Sequence, residues 1–247
     1  MEMIDDIILQ MIENRADIII DSQKYSYDNA YVPRVTEVLS LINEDYLIRW
    51  ANAIGLRHKN YDTELNRAAT IGTFVHDFSD CIMRGENVDL SVVDRSIVNN
   101  VYNGITCFKN WWESLNKNYK VEIIFIEKEL ICKYFGGTCD VLLKINDKIY
   151  LGDFKTSNHI GYKYYMQLAA YRYILLVEHG INIDGTFILQ LSKFNSIYKD
   201  YILDLHNNEH NMFLLNAFNT FSSTVMTYFN RLNTIQQYNK ITFERGY

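Results

Sequence analysis

Two apolar segments separated by two polar residues constrain the fold of this chain most strongly. In "CDVLLKINDKIYLGDFK", residues 139–155, apolar and β-branched residues flank Asn146-Asp147, a dipeptide of the kind found in two-residue hairpin turns. Directly paired residues of an antiparallel ladder project to the same face, so pairing outward from this turn places Asp140 opposite Asp153. The segment predicts a β-hairpin with two facing carboxylates at its far end.

A third charge belongs to the same face of this hairpin. Lys155 lies two residues after Asp153, and side chains two residues apart in a strand point the same way. Opposed carboxylates destabilise a sheet, and burial increases the cost. A hard divalent cation such as Mg²⁺ removes the conflict because it prefers carboxylate oxygens. The pattern predicts a metal site at Asp140 and Asp153, with Lys155 beside it.

Three simpler explanations of these charges remain open. Asp140 follows Gly136-Gly137 and is also compatible with a turn. Asp153 and Lys155 are also compatible with an exposed strand face. A three-residue turn would move Asp140 to the opposite face of the hairpin. The D-x-K pattern is common, so alone it is weak evidence for catalysis.

The rest of the chain predicts one domain over residues 1–247. Residues 1–118 are expected to be mainly helical, 119–205 to form a sheet core, and 206–247 to contain a C-terminal helix. The order is helices, three strands, a helix, two strands and a helix, which predicts an α/β fold with a mixed central sheet flanked by helices. The hydrophobic share of 48% suits one large core.

The helical part contains three predicted helices. The first covers residues 35–55 and the third runs from Val92 to Leu115. The second follows a possible N-cap at Thr63 and ends at Gly85. Its apolar residues are expected to face a core: Leu65, Ala68, Ala69, Phe74, Val75, Phe78 and Ile82.

Charge and cysteine content narrow the class of protein. The net charge of −6 counts against a protein that coats nucleic acid by bulk electrostatics, although an enzyme with a local basic groove stays possible. Lys163, Arg172, Lys193 and Lys199 form either such a rim or a scattered solvated surface. The four cysteines lack CxxC spacing, which favours a reducing compartment. The acidic N-terminus and the absence of a long apolar run predict a soluble, cytoplasmic protein without a membrane partner.

Several polar residues near the hairpin are further candidates for a site. His76 in "GTFVHD" is a possible metal ligand or an ordinary hydrogen-bonded histidine. Glu127 and Glu129 share one face of the preceding strand, where solvated edge charges explain them equally well. Gln167 and Tyr171 lie one helical turn apart, which suits either substrate contact or the polar edge of an amphipathic helix.

Taken in order, "GTFVH", "EKEL", "GGTCD", "GDFKTS" and "QLAAY" resemble the motif series of the PD-(D/E)XK nuclease superfamily. More narrowly, they resemble its RecB-like, phage-type exonuclease branch. The motifs run from Gly72 to Tyr171, and "VPRVTEVLS" followed by "RW" is similar to the N-terminal helical part of phage members. The resemblance implies a restriction-endonuclease-like core.

The resemblance also implies a set of metal ligands and a role for the lysine. One or two Mg²⁺ or Mn²⁺ ions are expected on His76, Asp140, Asp153 and the backbone carbonyl of Phe154. Lys155 is expected to assist the attacking water, either by positioning it or by deprotonating it.

Other motif positions carry further expectations. The motif glutamate corresponds to Glu127 or, as an alternative, Glu129, and the motif residues Gln167 and Tyr171 are expected to contact substrate. Some branches hold an iron–sulfur cluster on late cysteines; this chain has none after Cys139, so no such cluster is expected. A helicase motif of the G-x-x-x-x-G-K-[ST] type is also absent.

The expected function is a metal-dependent deoxyribonuclease, primarily an exonuclease on DNA with linear ends or single strands, of the kind used in phage recombination, repair or DNA degradation. Two alternatives stay open: a site-specific endonuclease or junction resolvase on the same fold, and a non-catalytic nucleic-acid-binding subunit with a relic site. The oligomeric state is left open.

Overall fold

The computed structural model of the chain describes residues 24–42 and 45–244. Its centre is a five-stranded sheet in the order β3-β4-β5-β6-β7. The strands are β3 (Val121–Ile131), β4 (Gly136–Ile145), β5 (Lys148–Lys155), β6 (Gly185–Leu191) and β7 (Tyr198–Asp204). A separate small hairpin consists of β1 (Tyr25–Tyr27) and β2 (Ala30–Val32). The acidic N-terminal segment, residues 1–20, lies outside the described residues.

Helices surround this sheet. They are α1 (Val35–Leu39), α2 (Asp45–Leu56), α3 (Tyr61–Arg84), α4 (Val98–Asn118), α5 (Tyr162–His179) and α6 (Asn208–Glu244), with a 3₁₀ turn at Leu90–Val92. Within the described ranges, every helix is too short or too polar to cross a lipid bilayer.

The sheet is mixed because one of its connections is a helical crossover. Strands β3, β4 and β5 pair antiparallel, as do β6 and β7, whereas β5 and β6 are parallel. A parallel pair needs a long connection, which α5 provides. Residues of α1, α5 and α6 pack on one face of the sheet, and residues of α3 and α4 pack on the other. The prediction of a mixed sheet flanked by helices is confirmed.

The predicted hairpin is present with the predicted register. Ile145 pairs with Lys148 and Leu143 with Tyr150. Asn146 has a φ of 45°, the left-handed conformation that primed hairpin turns require and that asparagine tolerates. The two-residue turn therefore sets the register of β4 and β5.

Several predicted boundaries in the helical part are wrong. The single helix expected over residues 35–55 is two helices, because α1 ends at Leu39 and the Ser40 hydroxyl bonds back to the Glu37 carbonyl. The N-cap of α3 is Asn60 and not Thr63; its side chain accepts a hydrogen bond from the Thr63 amide at 2.9 Å. The helix α4 begins at Val98 instead of Val92.

The apolar face of α3 is only partly a core face. Val75 and Phe78 are buried, as predicted. Leu65 is 41% exposed, and Ala68 and Ala69 also retain solvent contact, so the expectation that these three face the core is wrong. Periodicity identified the apolar stripe, but the core covers only its C-terminal half.

We expect Gly104→Ala to destabilise the protein, because α3 and α4 approach each other closely at this glycine. A Cβ at Gly104 would lie 2.6 Å from a methyl group of the fully buried Val75. Overpacking of this kind costs about 1–3 kcal/mol, which outweighs the helix-propensity gain of about 1 kcal/mol. Urea unfolding followed by circular dichroism measures the change.

The matched control for this substitution is Gly55→Ala in α2, where a Cβ meets no atom within 4 Å. It gains the same helix propensity without the clash, so its unfolding free energy should stay equal or rise. Equal effects of the two substitutions would contradict the close packing of α3 on α4.

Candidate active site

The candidate site begins where strands β4 and β5 stop pairing. Their ladder extends from the turn to Val141 and Gly152, and Asp140 and Asp153 are the next residues on each strand. Here the amide of Phe154 donates to Oδ2 of Asp140 at 2.7 Å. A side-chain carboxylate thus accepts the hydrogen bond of a β5 amide at the end of the hairpin. This places the Asp140 carboxylate directly beside β5.

Asp153 is a buried carboxylate with one oxygen satisfied and one not. Lys155 Nζ lies 2.6 Å from Asp153 Oδ1, and Asp153 is only 1% exposed. Its other oxygen, Oδ2, is buried and has no hydrogen-bond partner. A buried acceptor without a partner carries a desolvation cost of about 1–3 kcal/mol. The unsatisfied oxygen is therefore a position where a ligand would be stabilised.

Phe154, the bulky residue between these two charges, anchors the strand. Its ring is 1% exposed and packs edge-on against Phe108 at 5.2 Å and Trp111 at 6.2 Å between centroids. Successive side chains of a strand point to opposite faces, so this anchor holds Asp153 and Lys155 on the other face. The alternation explains why a strand of apolar character ends in two charges.

His76 approaches the same carboxylate from α3. Its Nδ1 lies 3.5 Å from Asp140 Oδ2, and its ring packs against Phe154 at 6.0 Å. Burial and the neighbouring Lys155 charge lower the pKa of His76 below its ordinary value. The imidazole is therefore neutral near pH 7, which is the form that binds metals.

Burial is the largest single influence on the pKa values of the other three groups, Asp140, Asp153 and Lys155. It raises the pKa of both Asp140 and Asp153, against the opposing effect of the Lys155 ammonium. For Lys155 itself burial favours the neutral amine, but the charges of Asp153 and Asp140 outweigh it and the pKa is raised. The lysine is therefore an ammonium at neutral pH.

Sequence reasoning missed one acid of this region, Asp80. It is 8% exposed and lies one helical turn after His76 on α3. Burial, with the charges of Glu127 and Asp140, raises its pKa to about 7. Its four-residue spacing from His76 was visible in the sequence, but its acidic neighbours on β3 and β4 were not.

The two candidate glutamates of β3 differ in their surroundings. Glu127 has a φ of 48°, a strained conformation for a residue with a side chain, and its charge acts on both His76 and Asp80. Glu129 pairs with Thr138 in the regular ladder. Both glutamates are exposed. Of the two glutamates, Glu127 is therefore the one whose charge acts on a residue of the site, His76.

Gln167 and Tyr171 lie on α5, close enough to the site for the charges of Asp153 and Asp140 to act on the Tyr171 phenol. Gln167 Nε2 donates to the Tyr171 hydroxyl at 3.3 Å, and both residues are buried, with exposures of 8% and 3%. A Cβ on Gly137 would lie 2.5 Å from the Tyr171 hydroxyl, so this phenol packs directly on the glycine of "GGTCD". Gln167 lines a cavity beside the site, whereas Tyr171 is part of the core.

The side chains present fit a divalent cation in their chemistry. Within the described residues, no three His, Cys, Asp or Glu side chains already form a metal-ligating group. The Lys155 ammonium instead holds one oxygen of Asp153. The unpartnered Asp153 Oδ2, the Asp140 carboxylate and the neutral His76 imidazole are nevertheless donors that Mg²⁺ or Mn²⁺ accepts.

Three grooves share Ser157, two residues after Lys155. The first, here called the α2–α3 groove, has a volume of about 290 Å³ and is lined by Trp50, Leu65, Ala69, His76, Lys155, Tyr164 and Lys193, among others. A second of about 450 Å³ contains Lys163 and Gln167, and a third of about 290 Å³ contains Lys199. Among the described residues that line these three grooves, none is an aspartate or glutamate.

The basic lining contrasts with the net charge of −6 of the whole chain. A cavity at the opposite end of the sheet, by comparison, contains Asp147 and Asp200. Three of the four residues considered for a basic rim, Lys163, Lys193 and Lys199, line the grooves, whereas Arg172 binds Asn211 elsewhere. The grooves next to the candidate site therefore suit an anionic ligand.

In comparisons with known proteins, no protein-family model and no curated sequence matches this chain.

We expect Asp80→Asn to become increasingly stabilising, relative to the unchanged protein, as the pH rises from 4 to 7. The folded protein retains the Asp80 proton up to about pH 7, whereas the unfolded chain releases it near 3.8. Ionisation therefore favours unfolding across this window, and asparagine removes the effect. Urea unfolding in EDTA at several pH values should show the difference growing by roughly 2–4 kcal/mol.

Asp62→Asn is the matched control, because Asp62 is exposed on the same helix, about five helical turns from Asp80. Its difference from the unchanged protein should show no such rise with pH. A pH-independent difference for Asp80→Asn would contradict the buried, protonated state of this acid.

Proposed function

We propose that the protein is a Mg²⁺- or Mn²⁺-dependent deoxyribonuclease that hydrolyses phosphodiester bonds, acting as an exonuclease on linear DNA. The observation that carries the proposal is the Asp153 carboxylate, which is buried with one oxygen on Lys155 and the other without a partner. A structural ion pair gains nothing from an unsatisfied oxygen. An ion-binding carboxylate requires one.

The arrangement of the sheet supports the same proposal. Three antiparallel strands, a crossover helix and a parallel strand follow one another from β3 to β6. This order is compatible with a restriction-endonuclease-like core. The motif residues His76, Asp140, Asp153 and Lys155 meet at one end of that sheet.

His76, Asp140, Asp153 and the Phe154 carbonyl would hold the divalent ion, which would supply positive charge to the scissile phosphate and lower the pKa of a nearby water. The protein's own groups account for the rest. Asp140 is held in place by the Phe154 amide and faces His76. This fixed geometry spares the site a reorganisation cost when charge develops on the phosphate.

Lys155 acts as a cation in this proposal. In the absence of a bound ion, Asp153 and Asp140 raise the pKa of Lys155, so its side chain is an ammonium at neutral pH. Its ammonium lies 5.2 Å from the centre of the Tyr164 ring, which helps to hold it beside the site. We assign to Lys155 the orientation of the attacking water and the neutralisation of charge in the transition state.

Asp153→Asn and Lys155→Met should each lower Mg²⁺-dependent degradation of end-labelled linear DNA by about 10²–10³-fold or more, because each removes a charge positioned at the reacting phosphate. Gel electrophoresis of the labelled products, with and without EDTA, measures the rate. Circular dichroism shows whether each variant remains folded.

Lys109→Met controls for loss of a positive charge, since the Lys109 side chain is 63% exposed and pairs with Glu113 at 4.0 Å. This variant should keep full activity. Full activity in either site variant would refute the nuclease assignment. Cleavage of covalently closed circular DNA would show that the same site acts as an endonuclease and not as an exonuclease.

A further inference from the structure

The α2–α3 groove contains apolar surface next to a site of charged residues. Leu65, Ala69, Gly72 and His76 follow one another on a single face of α3, and all four line the groove. Leu65 is 41% exposed. The apolar stripe therefore continues from the core into an open groove that leads to His76. A phosphate group alone would make no favourable contact with such an apolar surface.

Two aromatic rings border this groove. Trp50 on α2 is half-buried and packs edge-on against Tyr61, with ring centroids 5.3 Å apart and planes inclined by 64°. Tyr164, at the start of α5, lies under the Lys155 ammonium. Both rings line the groove. Because Tyr61 restrains its orientation, Trp50 loses little side-chain entropy when a planar ligand stacks on it.

Lys193 supplies a cation to the lining of the groove, and the nearby Arg67 charge acts on it. The Arg67 guanidinium donates to the Ser96 carbonyl at 3.0 Å and to Oδ1 of Asn100 at 3.2 Å. The same Asn100 side chain donates to the Lys193 carbonyl at 2.9 Å, and Asn103 supports that carbonyl as well. One asparagine thus ties both basic residues to α4. Burial and the Arg67 charge lower the pKa of Lys193, so an anion bound at the Lys193 ammonium would stabilise its charge.

We propose that the α2–α3 groove binds single-stranded nucleic acid, with a base stacked on Trp50 and a neighbouring phosphate on Lys193. This inference rests on the proposed nuclease function and specifies its substrate. A single strand presents aromatic base faces and phosphates side by side, which matches the aromatic, apolar and cationic lining. In a duplex the base faces are covered by their stacked neighbours, so the apolar lining would remain unused.

Binding is tested by fluorescence anisotropy in EDTA, where Mg²⁺-dependent cleavage does not occur. Labelled oligo(dT) should bind at least about tenfold more tightly than a blunt duplex of equal length. Trp50→Ala should weaken oligo(dT) binding about tenfold, the effect typical of one stacked base, and Trp50→Phe should retain most of it. Lys193→Gln should reduce the slope of log affinity against log salt by about 0.7.

The control variant is Tyr102→Ala on α4, because Tyr102 is 55% exposed and does not line the groove. It should bind oligo(dT) like the unchanged protein. Equal affinity for duplex and single strand, or unchanged oligo(dT) binding by Trp50→Ala, would overturn the proposal. Thymidine monophosphate binding as tightly as oligo(dT) would also overturn it, in favour of a mononucleotide site.

The two proposals fail separately. Trp50-dependent binding of oligo(dT) without Asp153-dependent cleavage would support the single-strand site in the groove and refute the nuclease function. Asp153-dependent cleavage without Trp50-dependent binding would support the nuclease function and refute the single-strand site in the groove.

Discussion

The central strand β5 ends in a partly buried ion pair between Asp153 and Lys155, and the candidate site depends on it. Leu151 packs with the α5–α6 side of the sheet and Phe154 with the α3–α4 side, so both faces of the strand are covered. Burying Asp153 and Lys155 at its end costs desolvation of two charges, and apolar residues of similar volume would be at least as stable. Stability therefore does not explain these residues. The rigid packing of β5 is what allows the fold to hold them in place.

Local chemistry made the hairpin predictable from the sequence. The Asn146-Asp147 turn and the alternation on either side set the register that the structure contains. The approach of His76 to Asp140 has no local cause, because it arises where α3 packs on the sheet. The same holds for Asp80, whose raised pKa comes from burial and from acids on β3 and β4. Family-like motifs identified His76, but they contained no such signal for Asp80.

The apolar periodicity of α3 did not predict what covers that helix face, and the net charge did not predict where the charges lie, for a related reason. The apolar spacing of α3 correctly located one face of the helix, yet Leu65 and Ala69 on that face line an open groove. Apolar spacing gives the direction in which a helix face points, but it does not determine what covers that face. The net charge of −6 likewise does not show that lysines border the grooves near the site. Local placement of charge governs the attraction of an anionic ligand, since salt screens more distant charges.

The strained backbone of Glu127 extends the site to the edge strand β3. The ladder contains Ile126 opposite Val141 and Lys128 opposite Cys139, so Glu127 stands opposite Asp140 between two regular pairs. A positive φ at such a residue costs about 1–3 kcal/mol, which the neighbouring pairs must offset. Strain of this kind redirects a side chain, and the charge of Glu127 reaches both His76 and Asp80. The distortion thus brings a third strand into electrostatic contact with the His76 and Asp80 side chains of α3.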